Sequence, residues 1–134
     1  MDRIRQMAPT GLAGLFVASG VLHLVRPTFF EAAVPPMLPA PQAIIAISGV
    51  AELVCGAALL TGQRWAGPIS AILLLAILPG NVNVALVMSA DPDASAAGRI
   101  AAWARLPLQI PLIWAALQAG SKPPKGPRAV HDPR

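Results

Sequence analysis

Six polar side chains in a largely apolar chain have the types and spacing to do chemistry: His23, Glu52, Asn81, Asn83, Arg105 and Gln109. Glu52 is the one carboxylate in "AIIAISGVAELVCGAALL", residues 43–60. A carboxylate can relay a proton, and an imidazole or guanidinium can stabilise a reduced oxygen. Amides beside them can hold a ligand in register. Ionisable groups inside apolar segments are functional candidates by default, because burying each one is expensive.

The elements that must position them are four apolar blocks, at roughly residues 8–25, 43–61, 66–90 and 100–119. Each is close to the ~20 residues that cross a bilayer's hydrocarbon core as a helix. The blocks are apolar on nearly every side, unlike the two-faced helices of a soluble bundle. The fold class read from this pattern is all-α, a transmembrane four-helix bundle. Residues 1–120 form one membrane domain, and the Pro-rich, basic 121–134 reads as a disordered cytoplasmic tail. The basic start "MDRIRQ" reads as the lead-in to an uncleaved first span.

Composition supports this class. The 134 residues are 55% hydrophobic and only 12% charged, against about 25% charged in an ordinary soluble domain. The net charge of +4 does not point to nucleic acid, because its distribution follows a membrane rule. Arg3, Arg5, Arg64, Lys122, Lys125, Arg128 and Arg134 fall on one side of the spans, and Arg26, Arg99 and Arg105 on or towards the other. That bias places both termini in the cytoplasm and the chain in the plasma (inner) membrane as a multi-pass protein. The partners it implies are the lipid bilayer and, at the basic tail, anionic headgroups.

The connection "RPTFFEAAVPPMLPAPQ", residues 26–42, carries prolines at 27, 35, 36, 39 and 41. It reads as a rigid loop, or as a short interfacial turn with Phe29 and Phe30 dipping into lipid. "TGQRW" makes a tight turn between the second and third spans. Pro79 in the third span leaves the carbonyl of Leu75 without a helical donor, which predicts a kink.

Depths counted from the outer end of each span put Glu52 and Gln109 about 15 Å in, Asn81 about 13 Å, Asn83 about 10 Å and Arg105 about 9 Å. His23 lies within about one turn of the surface. The polar groups thus share the outer half of the membrane. An isolated charge at mid-helix costs on the order of 2.5–3.5 kcal/mol, so the economical arrangement pairs Glu52 with Arg105 inside the bundle. Ser48, Glu52 and Gly56 share a stripe with Gly49 alongside, Arg105 shares a face with Gln109, and Ser19 shares one with His23. Gly14, Ala18, Gly49 and Gly56 would allow close helix approach. Asn81 and Asn83 should splay by about 200° on a regular helix. Such a network either lines a binding or reaction cavity or simply ties helices together.

Cys55 is the only cysteine. It excludes an intrachain disulfide, a CxxC thiol exchanger or a cysteine-ligated zinc. No iron–sulfur cluster or haem is expected, since there is neither a cysteine cluster nor an intramembrane histidine pair. No metal site is expected.

Four segments in order, "SGVLHLVRPTFFEAAVPPMLPAP", "ISGVAELVCGAALL", "LPGNVNVAL" and "RLPLQIPLIW", resemble the DoxX-like family of small four-helix membrane proteins, over about residues 11–118. The resemblance implies a four-span bundle with cytoplasmic termini. Members of the wider group serve a thiosulfate:quinone oxidoreductase as a membrane subunit, mature methylamine dehydrogenase, join oxidative-stress complexes or assist receptor assembly. The family's polar positions carry over as His23, Pro27, Pro35, Glu52, Gly56, Asn81, Arg105, Pro107 and Gln109. The absence of a second cysteine argues against a thiol relay.

Two functions follow as expectations. In the first, the chain is a redox-associated accessory subunit. His23, Glu52, Asn81, Asn83, Arg105 and Gln109 would bind a quinone-like or other lipophilic molecule, and a protein partner would supply the electrons. In the second, it is a non-catalytic assembly factor, or a binder of lipid or of a partner's helix. A protein partner or homo-oligomer is expected in either case. Transport is weaker, because no inverted repeat or pair of broken helices is visible.

Overall fold

The computed structural model describes residues 2–120, so the expected tail lies outside the described residues. Helix α1 covers Asp2–Val25, α2 Pro41–Leu60, α3 Ala66–Ala90 and α4 Ala96–Leu117. A 3-10 turn, Pro27–Ala33, occupies the connection between α1 and α2, and a second, Gln118–Gly120, follows α4. No strand occurs among the described residues. All four α-helices are long and apolar enough to cross a membrane, as a multi-pass membrane protein requires.

The helix boundaries follow local chemistry. Helix α1 starts well before its apolar run because Arg3, Arg5 and Gln6 are good helix formers. Helix α2 opens with Pro41 at its first position, where the missing N–H has no helical partner to lose. It ends in a Schellman motif. Gly62 takes the left-handed conformation (φ 70°), Gln63 N–H donates to the Ala58 carbonyl at 2.9 Å, and Gly62 N–H donates to that of Leu59 at 3.3 Å. Ser95 caps α4 by accepting from Gly98 N–H at 3.1 Å. Arg99 then closes the end of α3, donating to the carbonyls of Met88 (3.2 Å) and Asp91 (2.7 Å). A cation at a helix C-terminus also meets the negative end of the dipole.

Packing makes two pairs. Helix α1 lies chiefly on α2, and α3 chiefly on α4, while α2–α3 and α1–α4 touch over less surface. The apolar core sits away from the 26–40 connection, built on Leu12, Phe16, Cys55, Leu59, Ala66, Leu74, Ala115 and Ala116. Many of the remaining large apolar side chains point outwards, among them Leu15, Ile47, Ile72, Leu86 and Ile110. In water such a surface would aggregate, whereas in a bilayer it is the lipid face.

Close approach of α1 and α2 depends on glycine. A Cβ on Gly20 would lie 2.7 Å from the Gly49 carbonyl oxygen, and one on Gly49 would lie 2.7 Å from the His23 Cβ. Gly56 rests on Ala13 and Val17 in the same way. The expected contributions of Gly14 and Ala18 do not materialise, since both face outwards. Gly14 has no atom of another element near its Cβ direction.

Candidate functional site

Glu52 is answered by His23, not by Arg105. Glu52 is 4% exposed, and the Nδ1 of His23 lies 3.2 Å from its Oε2. The same Nδ1 lies 2.8 Å from the Ser19 carbonyl oxygen. A carbonyl only accepts, so Nδ1 carries a proton. That N–H is directed at Ser19, and Glu52 Oε2 is left buried without a hydrogen bond of good geometry. The contact between imidazole and carboxyl group is therefore one of proximity rather than an aligned hydrogen bond. On its face the imidazole stacks against Phe30 of the connection, with ring centroids 3.5 Å apart and planes at 20°.

The expected Glu52–Arg105 pair fails for two reasons. Helix α4 packs on α3 and α1, so the surface of α2 that carries Glu52 meets α1 instead. Arg105 is itself exposed, although Gln109 four residues on is buried. A four-residue step turns a helix about 40° past a full revolution, and that offset carries Arg105 to the outer side. Depth counting had also set His23 too shallow to meet Glu52. Gly49 lies over Gly20 and His23, and Gly56 over Ala13 and Val17, so α2 begins roughly one and a half turns beyond the level where α1 stops. Depths measured from the two helix ends are therefore not on one scale.

The amides form a separate group. Asn81 Nδ2 donates to Gln109 Oε1 at 3.1 Å, and Gln109 Nε2 donates to the Leu74 carbonyl. This links α3 and α4 through buried Gln109. Asn83 points elsewhere, as the two-residue spacing requires. Its Nδ2 donates to the Ala32 carbonyl at 2.8 Å and holds the 26–40 connection on α3. Gly80 permits that docking, since a Cβ there would lie 2.9 Å from the Ala33 carbonyl oxygen. The six side chains singled out by the sequence thus divide into a His23–Glu52 contact, an Asn81–Gln109 contact, the Asn83 tether and an outward Arg105. No hydrogen bond or ion pair among the described residues joins these groups to one another.

An open space among the described residues lies apart from these side chains. A groove of about 430 Å³ opens between α2 and α3 beside the connection. Ile44, Ile45, Ser48 and Ala51 form one wall, Leu73, Ala76, Ile77, Pro79 and Gly80 the other, and Val34, Pro35 and Leu38 the cover. Small-molecule pockets run from about 300 to 1,000 Å³, so the space suits a ligand. None of the six side chains lines it. Its sequence signals were Ser48 on the Glu52 stripe and the proline-rich connection, neither of which reveals an open face.

Deeper in the core, Cys55 lies against Ser70, and the Ser70 hydroxyl is fully buried without a hydrogen-bond partner.

Residues 12–120 match a family model described as "Domain of unknown function (DUF8561)". No curated protein and no solved structure matches the chain.

Proposed function

The chain belongs to the DUF8561 family, whose description assigns no reaction, and from that premise we propose that it is a multi-pass plasma-membrane protein that holds a lipophilic small molecule between α2 and α3, as an accessory to a redox partner. The observation that carries the binding role is the groove of about 430 Å³, walled by aliphatic side chains. A quinone-like molecule or another lipid enters such a groove from the bilayer. The resemblance to the DoxX-like family supports the redox association and the DoxX-like kinship. Arg3, Arg5 and Arg64 at one end, against Arg26 and Arg99 at the other, support cytoplasmic termini.

His23 and Glu52 serve this reading indirectly. The Phe30 stack joins them to the connection that covers the groove, so they set the position of the cover rather than touch the ligand.

A second reading, a membrane assembly factor that binds a partner's helix, draws on Arg105. An outward guanidinium on a membrane helix seeks an anion, and a carboxylate on another subunit would supply it.

The test is to purify the protein in mild detergent and to identify by mass spectrometry what stays bound. A lipophilic molecule is expected in the wild type and is expected to be lost on Ala76→Trp, which fills the groove. Equal retention by the two proteins would end the groove reading. A protein partner retained by the wild type but lost on Arg105→Ala, with no bound lipid, would select the second reading.

A further inference from the structure

Glu52 and Arg105 both stand well inside the spans, and the fold treats them oppositely. Glu52 is buried against His23. Arg105 is exposed, and no hydrogen bond or ion pair joins it to another described residue. Asp91 and Asp93, in the turn before α4, are exposed, and neither pairs with it. Arg105 is not part of the groove, and its role stands apart from the binding reading above.

A guanidinium keeps its charge in any surroundings, so on a lipid-facing surface it has to reach an anion or water. The helix sets its direction. On an α-helix the Cα–Cβ bonds tilt towards the N-terminus, which for α4 is the Ala96 end. Trp103 shows how far a side chain of α4 travels that way. Arg99 Nε donates to the Met88 carbonyl at 3.2 Å, so α4 is level with the last turn of α3 near residue 99. Trp103, four residues deeper, still brings its indole N–H to Ser89 Oγ at 2.9 Å, one residue before α3 ends. A half-exposed indole with its N–H at a helix end is a marker of the membrane interface. Arg105 starts roughly 3 Å deeper than Trp103 and has a longer, unbranched stem. The exposed Ala101 and Ala97 lie about one and two turns above it, so no bulky side chain of α4 stands in its path. An extended Arg105 therefore snorkels to the headgroup level.

We propose that Arg105 is a phospholipid site, at which the guanidinium holds the phosphate of a lipid in the leaflet at the Ala96 end of α4. The planar fork of arginine matches two phosphate oxygens at once. Leu108, exposed about one turn below, carries the acyl chains. A carboxylate in a partner's span would have to be carried into the membrane at its own cost, whereas phosphate already lies at this level. An acidic headgroup is favoured over a zwitterionic one, whose own ammonium competes for the phosphate.

The full-length protein, with arginine isotopically labelled at Cζ, is reconstituted into bilayers, and solid-state NMR reads dephasing of that carbon by phosphorus. The Arg105 signal is the one missing from Arg105→Lys, a change at an exposed and unpaired position. In dioleoylphosphatidylglycerol the Arg105 signal should be dephased, and in dioleoylphosphatidylcholine less so. In phosphate-free digalactosyldiacylglycerol it should not be dephased, even with inorganic phosphate in the buffer. Ala76→Trp should leave the phosphatidylglycerol result unchanged, because the groove is a separate site. No dephasing in either phospholipid would overturn the proposal. Dephasing by inorganic phosphate in the galactolipid would make this a free-anion site and overturn the lipid assignment. Equal dephasing in the two phospholipids would overturn the preference for an acidic headgroup. A protein partner that copurifies with the wild type and is lost on Arg105→Ala would give the guanidinium to a carboxylate instead.

Discussion

Glu52 and Ser48 stand four residues apart on α2, yet the first faces a closed seam and the second an open groove. On the α1 side, backbones touch through Gly20 and Gly49, the carboxylate is buried, and an imidazole lies 3.2 Å away. On the α3 side the helices meet over less surface, the walls carry no charge, and a hydroxyl is left open. The difference teaches where this protein can keep a charge. A carboxylate is tolerated only where lipid is shut out and a counter-group is held in place. At the groove the one polar side chain of the lining, Ser48, is neutral.

The largest expected effect breaks the closed side. His23→Ala strands Glu52 and should cost about 3 kcal/mol of stability, as loss of one member of a buried pair does. Glu52→Ala added to it should recover part of that loss, giving a measurable coupling in a double-mutant cycle. The corresponding cycle between Glu52 and Arg105 should be additive to within about 0.5 kcal/mol. Thermal unfolding in detergent reads both. Coupling to Arg105 with none to His23 would reverse the assignment of Glu52's partner.

A smaller effect tests the seam's geometry without touching charge. Gly49→Ala drives a methyl into the His23 Cβ and the Gly20 carbonyl, 2.7 and 3.0 Å away. It should cost about 2 kcal/mol by overpacking. Gly14→Ala, a chemically identical change on the outer side of α1, should be neutral or slightly stabilising, because alanine is the better helix former. Equal losses for the two would mean that α1 and α2 are not in backbone contact.

Smaller again is the amide link of the second helix pair. Gln109→Leu removes the bonds to Asn81 and to the Leu74 carbonyl. At roughly 0.6 kcal/mol for each hydrogen bond within a membrane, the loss should be about 1 kcal/mol. A loss as large as that of His23→Ala would make the α3–α4 seam the equal of the α1–α2 seam and dissolve the contrast.

How much of this was legible in the sequence depends on what each feature rests on. The four helices were legible because length and apolarity are local properties, and the splay of Asn81 and Asn83 because it follows from helical period. The start of α1 was less so, since an apolar run marks where lipid lies and not where a helix begins. The partner of Glu52 was hidden by register. Depth counted from each helix end assumes the ends are flush, and α2 starts beyond the end of α1. The groove was hidden for a different reason. Ala51, Ala76 and Ser48 look like packing residues in a sequence, and only the fold shows that the opposing helix stands off from them.

Ala76 is exposed and lies on the groove wall. Ala76→Leu adds three carbons where lipid or ligand already fills the space, so no cavity closes and no backbone is pushed. Stability should change by less than about 0.5 kcal/mol, the usual range away from packed contacts. The contrast with Gly49→Ala is the point of the measurement. A single added methyl on one side of the bundle should outweigh three added carbons on the other, because the seam is already closed at van der Waals distance and the groove is not. A large loss for Ala76→Leu would mean that α2 and α3 close on each other in the membrane, and the binding space would close with them.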